Sequence, residues 1–464
     1  MVTIIQKSSS NQNYESLPKP QEATWYQTLW GILKPLGYFD TIQKRHGDMF
    51  ITPPFAGLPE QLIISNPEAI QQIFTANSNL FESGSASKVI QPLVGDTSVI
   101  LLDGKRHLQQ RKLLMPPFHG ERMQNYGEQI YNIAEQVMSK VNTGEKFTAR
   151  PLMQEISLTV ILHTIFGLSE GEKYQQIKEI LTEMLDVFNA PLSSIFLFFK
   201  GLQKDLGAWS PWGKFLRRRQ KLDELLFEII QERRTQGETT DKDILSLLLC
   251  ARDEEGQPMT NSELRDELMT MLFAGHETTA TALAWALYWI HAIPEVRDKL
   301  VAELESVDLK NRIDTDPMEI IKLPYLNAVC SETLRIYPVA FFTLARILQA
   351  PMQLIGYDLP KGMVLSPCIY LTHHNPEIYP EPKKFKPERF LERQFTPYEY
   401  LPFGGGNRRC LGMAFAQFEM KLVLATLLSR YSFNLVDKNP LLPVRRGITF
   451  APKGGVKLRM EKVK

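Results

Sequence analysis

Phe403-Gly404-Gly405-Gly406-Asn407-Arg408-Arg409-Cys410-Leu411-Gly412 is followed, from Leu411, by the run LGMAFAQFEMKLVLATLLSRY. Apolar residues recur in that run at helical spacing, so Cys410 stands just before a helix. A cysteine there receives unpaired N–H groups and the positive end of the helix dipole, and both favour thiolate over thiol. The glycines permit turns closed to other residues and let the chain approach a flat ligand closely. Phe403 can shield the sulfur from water, and Arg408 can reach an anionic group. Alone, the stretch reads first as a Gly-rich turn beside an incidental buried cysteine.

Outward from this loop lie other charged or irregular places. Thr260 or Asn261 can cap a helix with Glu263 in its first turn, and Pro294 bounds its far end. The span is about 30 residues, roughly 45 Å, enough to cross a whole domain. Its middle, FAGHETTATALAW, sets a Gly, a carboxylate and adjacent threonines among apolar residues. Gly275 costs about 1 kcal/mol against Ala, and threonine hydroxyls there bond back one turn. Such breaks occur at functional sites, but a notch for a neighbouring helix explains them equally well. Glu332 and Arg335 (ETLR) share a helix face, and PERF supplies Arg389, which could close a buried carboxylate–guanidinium network. By itself the pair is a common surface bridge worth little. His107 and Arg111 lie at i, i+4 in HLQQR, and Arg346 follows in a strand-like stretch; each is ordinarily a solvated cation.

The 464 residues carry net charge +1, 44% hydrophobic and 23% charged residues and a mean hydropathy of −0.19. This excludes a global argument for nucleic-acid binding. Four cysteines without metal-type pair spacing fit a reducing, cytoplasmic setting rather than a disulfide scaffold. Length alone suggests about three domains, yet no repeat or linker divides the chain. Residues 40–75 read as a hairpin, 109–293 as mainly helical, and the part beyond Ile347 as short strands before the last helix and a strand tail. The expectation is a mainly α single domain with smaller β regions over residues 21–464, after a flexible tail over 1–20. The N-terminus has no signal-peptide core, and no apolar run reaches about 18 residues, so no transmembrane anchor is expected. Pro191–Phe199 is too short to span a bilayer and leaves peripheral membrane contact open.

Taken together, the motifs resemble those of the cytochrome P450 family. Phe403–Gly412 is similar to its ligand signature, AGHETT to its oxygen-activation segment, ETLR to its Glu-x-x-Arg pair and PERF to the partner motif. HLQQR resembles the helix whose aromatic or His, with an Arg, binds a haem propionate. The five motifs keep family order from His107 to Gly412, and the likeness covers nearly the whole chain. The remainder is most similar to cyanobacterial and bacterial long-chain fatty-acid hydroxylases. His107 stands where many members carry Trp, and the family's N-terminal membrane anchor is missing.

The resemblance implies a haem between a long central helix and the Cys410 loop, with haem b (iron protoporphyrin IX) as cofactor and O2 as co-substrate. Cys410 would be the axial ligand, within a loop whose Phe403 and Gly412 border the cofactor. His107, Arg111, Arg346 and Arg408 would pair with the two propionates, and Glu332, Arg335 and Arg389 would form a structural network. Ala274 and Gly275 would leave room for dioxygen, Thr278 would hydrogen-bond the bound peroxide, and Glu277 would relay protons. One oxygen atom enters a C–H bond and the other becomes water. Val339, Phe341, Phe342, Ile448 and Phe450 lie where strand turns would face the haem, suiting a long-chain fatty acid or a terpene; each reads nearly as well as ordinary core. No flavin or iron–sulfur module is fused. A separate ferredoxin- or flavodoxin-type donor with its reductase is therefore expected, landing near Arg106, Lys112 and Arg409 on a monomer. Arg217–Arg219 reads as a solvated helix face. A haem-thiolate hydroperoxide isomerase and a non-catalytic haem sensor are the alternatives; neither has a use for Thr278 after Glu277.

Overall fold

The computed structural model describes residues 12–54, 58–118, 122–168, 170–189, 200–236, 243–307, 316–447 and 449–464. Thr260 opens the longest of the described helices through a capping box. Its hydroxyl accepts from the Glu263 N–H at 3.2 Å, and the Glu263 carboxylate accepts from the Thr260 N–H at 2.9 Å. The helix runs Asn261–Ala292, and Pro294 starts the next one, Pro294–Ser306. We call Asn261–Ala292 the central helix. Every residue from Thr279 to Tyr288 is buried, as expected of a helix with neighbours on all sides.

Those neighbours are Ala149–Phe166, Pro211–Gln236, Pro324–Ile336 and the terminal helix Met413–Arg430. Their apolar faces form the main core cluster, with Trp285, Leu283 and Leu287 at its centre. The terminal helix begins two residues after the Cys410–Leu411 step, as the sequence anticipates.

The sheets are small, of two to five strands. The expected hairpin is present as Met49–Thr52 paired antiparallel with Gln61–Ile64. Val364–Pro367 adds parallel to Gln61–Ile64, Arg346–Leu348 adds antiparallel to that, and Phe81–Glu82 completes five strands. Met352–Leu354 and Tyr357–Leu359 form a second hairpin, and Gln12–Asn13 pairs parallel with Tyr357–Asp358. Within the segment expected as a flexible tail, Leu17 is also buried. Lys457–Val463 lies between Tyr431–Leu435 and Lys146–Thr148. The fold class is thus mainly α with smaller β regions. Pro191–Phe199 lies outside the described residues, and no described helix is long and apolar enough to cross a membrane.

Candidate active site

The Cys410 loop is shaped by its glycines, two of which pack against a residue the sequence did not point to. Gly404 and Gly406 have φ of 66° and 64°. A Cβ on Gly405 would meet the Phe74 ring at 2.1 Å, and one on Gly406 would meet the Phe74 carbonyl oxygen at 2.8 Å. The close approach is therefore to Phe74, at the end of helix Pro67–Thr75; Gly412 meets nothing within 4 Å. The Cys410 N–H donates to the Phe403 carbonyl at 2.9 Å and closes the loop.

Cys410 and Cys250 are exposed, Cys250 at the end of helix Ile244–Cys250, whereas Cys330 and Cys368 are buried. Yet burial pushes the Cys410 thiol up, opposed by the Gly412 N–H and by Arg111 and Arg409. Accessibility and desolvation agree if the sulfur faces an enclosed space. Ala274 points to the same conclusion, because it is exposed halfway along the central helix while Leu272, His276 and Glu277 are buried. A helix at the middle of a core exposes surface only onto an internal space.

Four expected cofactor-binding residues come together from three chain segments. His107 is 2% exposed and Arg346 2% exposed. Burial pushes His107 down to about 4, helped by Arg408 and Arg111 and opposed by Asp103. Arg346 is pushed down to about 10 by burial and by Arg408. Arg408 is also lowered to about 10 by burial, with Asp103 opposing and Arg111 assisting. Arg111 is lowered chiefly by burial. Arg408 donates to Asp103 at 2.5 Å and to the Leu102 carbonyl at 2.6 Å. Arg346 donates to the Gly405 carbonyl at 3.0 Å. Asp103 was not anticipated. It is the residue before helix Gly104–Leu114, a position where Asp is common, and it also accepts from the N–H groups of Ser83, Gly84 and Ser85.

This gathering carries three guanidiniums against one carboxylate. Arg111 and Arg346 have no carboxylate partner among the described residues. Buried charge is normally paired, so the cluster suits a ligand with two negative charges. A haem brings two propionates, and an accessible cysteine before a helix can bind its iron; the residues present fit the group.

On the central helix the threonine hydroxyls bond back, Thr278 to the Ala274 carbonyl at 2.7 Å and Thr279 to the Gly275 carbonyl at 3.0 Å. Gly275 has a packing role that the sequence left open: a Cβ there would lie 2.5 Å from Ile161 Cδ1, so Gly275 is a notch for helix Ala149–Phe166. Ala274 is exposed and Gly275 is half-buried. Glu277 is buried, ion-paired with Arg150, and accepts from Gln154 Nε2 at 2.7 Å. Neither partner was legible in the sequence.

Glu332 and Arg335 are 0% exposed and Arg389 is 5% exposed. Arg335 grips Glu332 with two bonds of 2.6 and 2.9 Å, and Arg389 Nε adds a third at 3.2 Å. Phe341 and Phe450 are buried in a cluster with Tyr38, Phe50 and Tyr370, where Phe341 stacks on Tyr370 at 5.0 Å. Phe342 is partly buried against Phe39, and the Val339 carbonyl accepts from the Phe450 N–H at 3.1 Å. Ile448 lies outside the described residues. The basic landing patch is charge-balanced: Lys112 pairs with Glu254 at 3.3 Å and Arg106 with Glu263 at 3.9 Å, while Arg409 is exposed. Arg217–Arg219 is likewise not bare, since Arg217 pairs with Asp205 at 3.2 Å and Arg218 with Glu183 at 2.7 Å.

A family model described as Cytochrome P450 matches residues 18–458. The chain belongs to the cytochrome P450 family. Cytochrome P450 135B1 of Mycobacterium tuberculosis is 33% identical over 444 residues, spanning 96% of this chain and 91% of that protein. Retinoic acid bound cyanobacterial CYP120A1 superposes with a TM-score of 0.83 at 28% identity, over 96% of this chain and 98% of that one. The cytochrome P450DA heme domain gives a TM-score of 0.82 at 22% identity, over 97% and 99%, and bears on the fold alone. This P450 is accordingly a haem-dependent monooxygenase, an oxidoreductase.

Proposed function

We propose that this P450 hydroxylates a long apolar small molecule, most simply a long-chain fatty acid, with haem b held by Cys410 and the Arg111–Arg346–Arg408 cluster. The carrying observation is the buried excess of guanidinium beside an accessible thiol. When bound, the haem supplies the oxygen chemistry. This chain's residues do the rest. Arg111, Arg346, Arg408 and His107 orient the propionates, and Ala274 leaves space beside the central helix. The Thr278 hydroxyl, one residue beyond Glu277, would supply a hydrogen bond beside Ala274 on the central helix, and Glu277 would relay protons. Phe342 and Val339, partly buried, suit an apolar chain. Electrons would come from a ferredoxin- or flavodoxin-type donor landing around Arg409, on a cytoplasmic monomer of one domain.

The substrate class has support from one relative. The cyanobacterial CYP120A1 structure has retinoic acid bound, an apolar chain ending in a carboxylate, as a fatty acid also is. Its isoprenoid skeleton favours a terpene as the second reading. Titrating the haem-loaded protein with saturated acids of graded length, and separately with retinoic acid, distinguishes them through the substrate-induced spectral change. Each methylene removed should weaken binding by about 0.8 kcal/mol, roughly fourfold. Equal affinity for short and long acids, or tighter binding of retinoic acid than of any straight chain, would transfer the assignment to the terpene.

A further inference from the structure

Helix Gly104–Leu114 buries His107, Gln110 and Leu114 on its inner side, whereas Lys105, Arg106, Leu108 and Lys112 are exposed. Arg111, on its flank, interacts with Cys410 and Arg409, so the helix stands beside the Cys410 loop. Its outer face is met by a short hairpin that precedes the central helix. Arg252 and Pro258 close that hairpin as an antiparallel bridge. Asp253 builds the turn, accepting from the N–H groups of Glu255 at 3.0 Å and Gln257 at 2.7 Å, and Gly256 takes a φ of 77°. Below the turn Met259 is buried, and Arg234 donates to its carbonyl at 2.7 Å. The base is thus fixed, and Glu254 and Glu255 stand exposed at the tip. Glu254 pairs with Lys112 at 3.3 Å and Glu255 with Lys105 at 3.6 Å, while Gln109 Nε2 donates to Glu255 at 3.5 Å. All four side chains of these two pairs are more than half exposed, and such pairs hold weakly and are easily screened. Arg409 donates instead to Met413 Sδ at 3.0 Å.

We propose that this hairpin is a built-in acidic occupant of the helix's outer face, and that an acidic electron-donor protein docks by displacing Glu254 and Glu255 from Lys112 and Lys105. The proposal rests on the reading above that such a donor lands around Arg409. The hairpin does not need the two pairs for its own shape, which the bridge, the Asp253 turn and buried Met259 already fix. Nor does the helix, which is anchored through its inner side. What the pairs change is the charge that the face presents. Lys105, Leu108 and Lys112 follow at i, i+3 and i+7, one stripe of the helix, so the stripe offers a donor an apolar centre with a cation at each end. While the tip is in place both cations are cancelled, and Glu263, 3.9 Å from Arg106, offsets a third. Because the tip is tethered, it competes at a fixed effective concentration. A surface bearing a single carboxylate gains little by replacing it, whereas one that engages Lys105, Lys112 and Arg409 together does. The hairpin thereby raises the charge a partner must carry before it docks.

The test is calorimetric titration of the resting, haem-loaded protein with a strongly acidic ferredoxin at low ionic strength. The double variant Glu254→Gln, Glu255→Gln should bind it about three- to tenfold more tightly than the parent, the scale of two exposed ion pairs. That gain should vanish near 1 M salt, where screening leaves a reach of only about 3 Å. Glu228→Gln with Glu232→Gln removes the same charge from helix Pro211–Gln236, where both acids pair with Lys173, and should bind like the parent. Arg409→Glu should weaken binding with or without the hairpin carboxylates. All these side chains are at the surface, so the variants should melt with the parent. An affinity unchanged by Glu254→Gln and Glu255→Gln, with Arg409→Glu still weakening it, would overturn the hairpin's role and leave the landing site standing. An equal gain from Glu228→Gln and Glu232→Gln would reduce the effect to net charge and overturn it too. If Arg409→Glu also binds like the parent, the donor lands elsewhere, and the landing site falls together with the hairpin's role.

Discussion

Gly275 has Ile161 Cδ1 where its own side chain would begin, at 2.5 Å. Gly275→Ala should therefore lose about 1–3 kcal/mol to overpacking, offset by up to about 1 kcal/mol of helix propensity. Adding Ile161→Ala should return part of that loss, which thermal denaturation of both variants checks. Thr278 is a different case. Its Oγ1 already bonds the Ala274 carbonyl at 2.7 Å, so Thr278→Ala should hold the helix and still bind haem and substrate. Its expected defect is uncoupling: O2 uptake continues, H2O2 rises and product per electron falls. Unchanged coupling would leave Thr278 as mere helix structure. Cys410 carries the simplest prediction at this scale. Cys410→His should lose the long-wavelength band of the reduced carbon-monoxide complex, an axial-ligand property. Cys330→Ala, Cys368→Ala and Cys250→Ala should keep it, since two of these thiols are buried and the third ends a distant helix.

Among elements, helix Pro324–Ile336 shows how a local pattern can be read and its setting cannot. The i, i+3 spacing of Glu332 and Arg335 announced a shared face, but burial decides what the pair is worth. At 0% exposure, Glu332 also accepts from the Lys386 N–H at 2.8 Å and from Arg389. Removing the carboxylate strands two buried guanidiniums. Glu332→Ala should cost about 3–5 kcal/mol and give little folded protein, whereas a melting temperature equal to the parent's would reduce the trio to surface ions. The central helix was legible from Thr260 to Pro294 because capping and termination are local. Its partners were not. Arg150 and Glu277 are 127 positions apart, and nothing in ARPLMQEIS marks that arginine as buried. The glycines of the Cys410 loop were read as permitting a close approach, but the approach of Gly405 and Gly406 to Phe74 was not foreseen, because Phe74 lies far away in sequence. Phe341 and Phe450 fared similarly: an apolar residue at a strand turn fits a substrate wall and a core equally, and their burial beside Tyr38 and Tyr370 is set by the packing of helix Pro35–His46.

At the scale of the whole molecule, buried titratable groups oppose one another across pH. Glu419, on the terminal helix, and Glu267, on the central helix, are each pushed up to about 8 by burial. His291 and His374 are pushed down to about 4 and about 3, again mainly by burial. Between about pH 3 and 6.5 the unfolded chain takes up protons at these histidines that the folded one refuses, so stability rises with pH there. From about 4.5 to 8 the signs reverse for the two carboxyls. The folded protein holds protons that the unfolded chain releases, so their contribution, full below about 4.5, is lost as pH climbs to about 8. Stability should thus peak between the two limbs. Glu419 is the cleaner probe, because only Ser157 opposes its burial, whereas Glu267 accepts from the Val99 N–H at 2.7 Å and from Gln110. Glu419→Gln keeps the shape and removes the titration. At pH 5 it should melt close to the parent; by pH 8.5 it should be the more stable by a few kcal/mol, the order expected at about 1.4 kcal/mol for each pH unit of displacement. Glu267→Gln should flatten the same alkaline limb while loosening the turn that bears Val99. Parallel melting curves for parent and Glu419→Gln across pH 5–9 would mean that Glu419 is solvated in solution, and the alkaline loss would have to arise elsewhere.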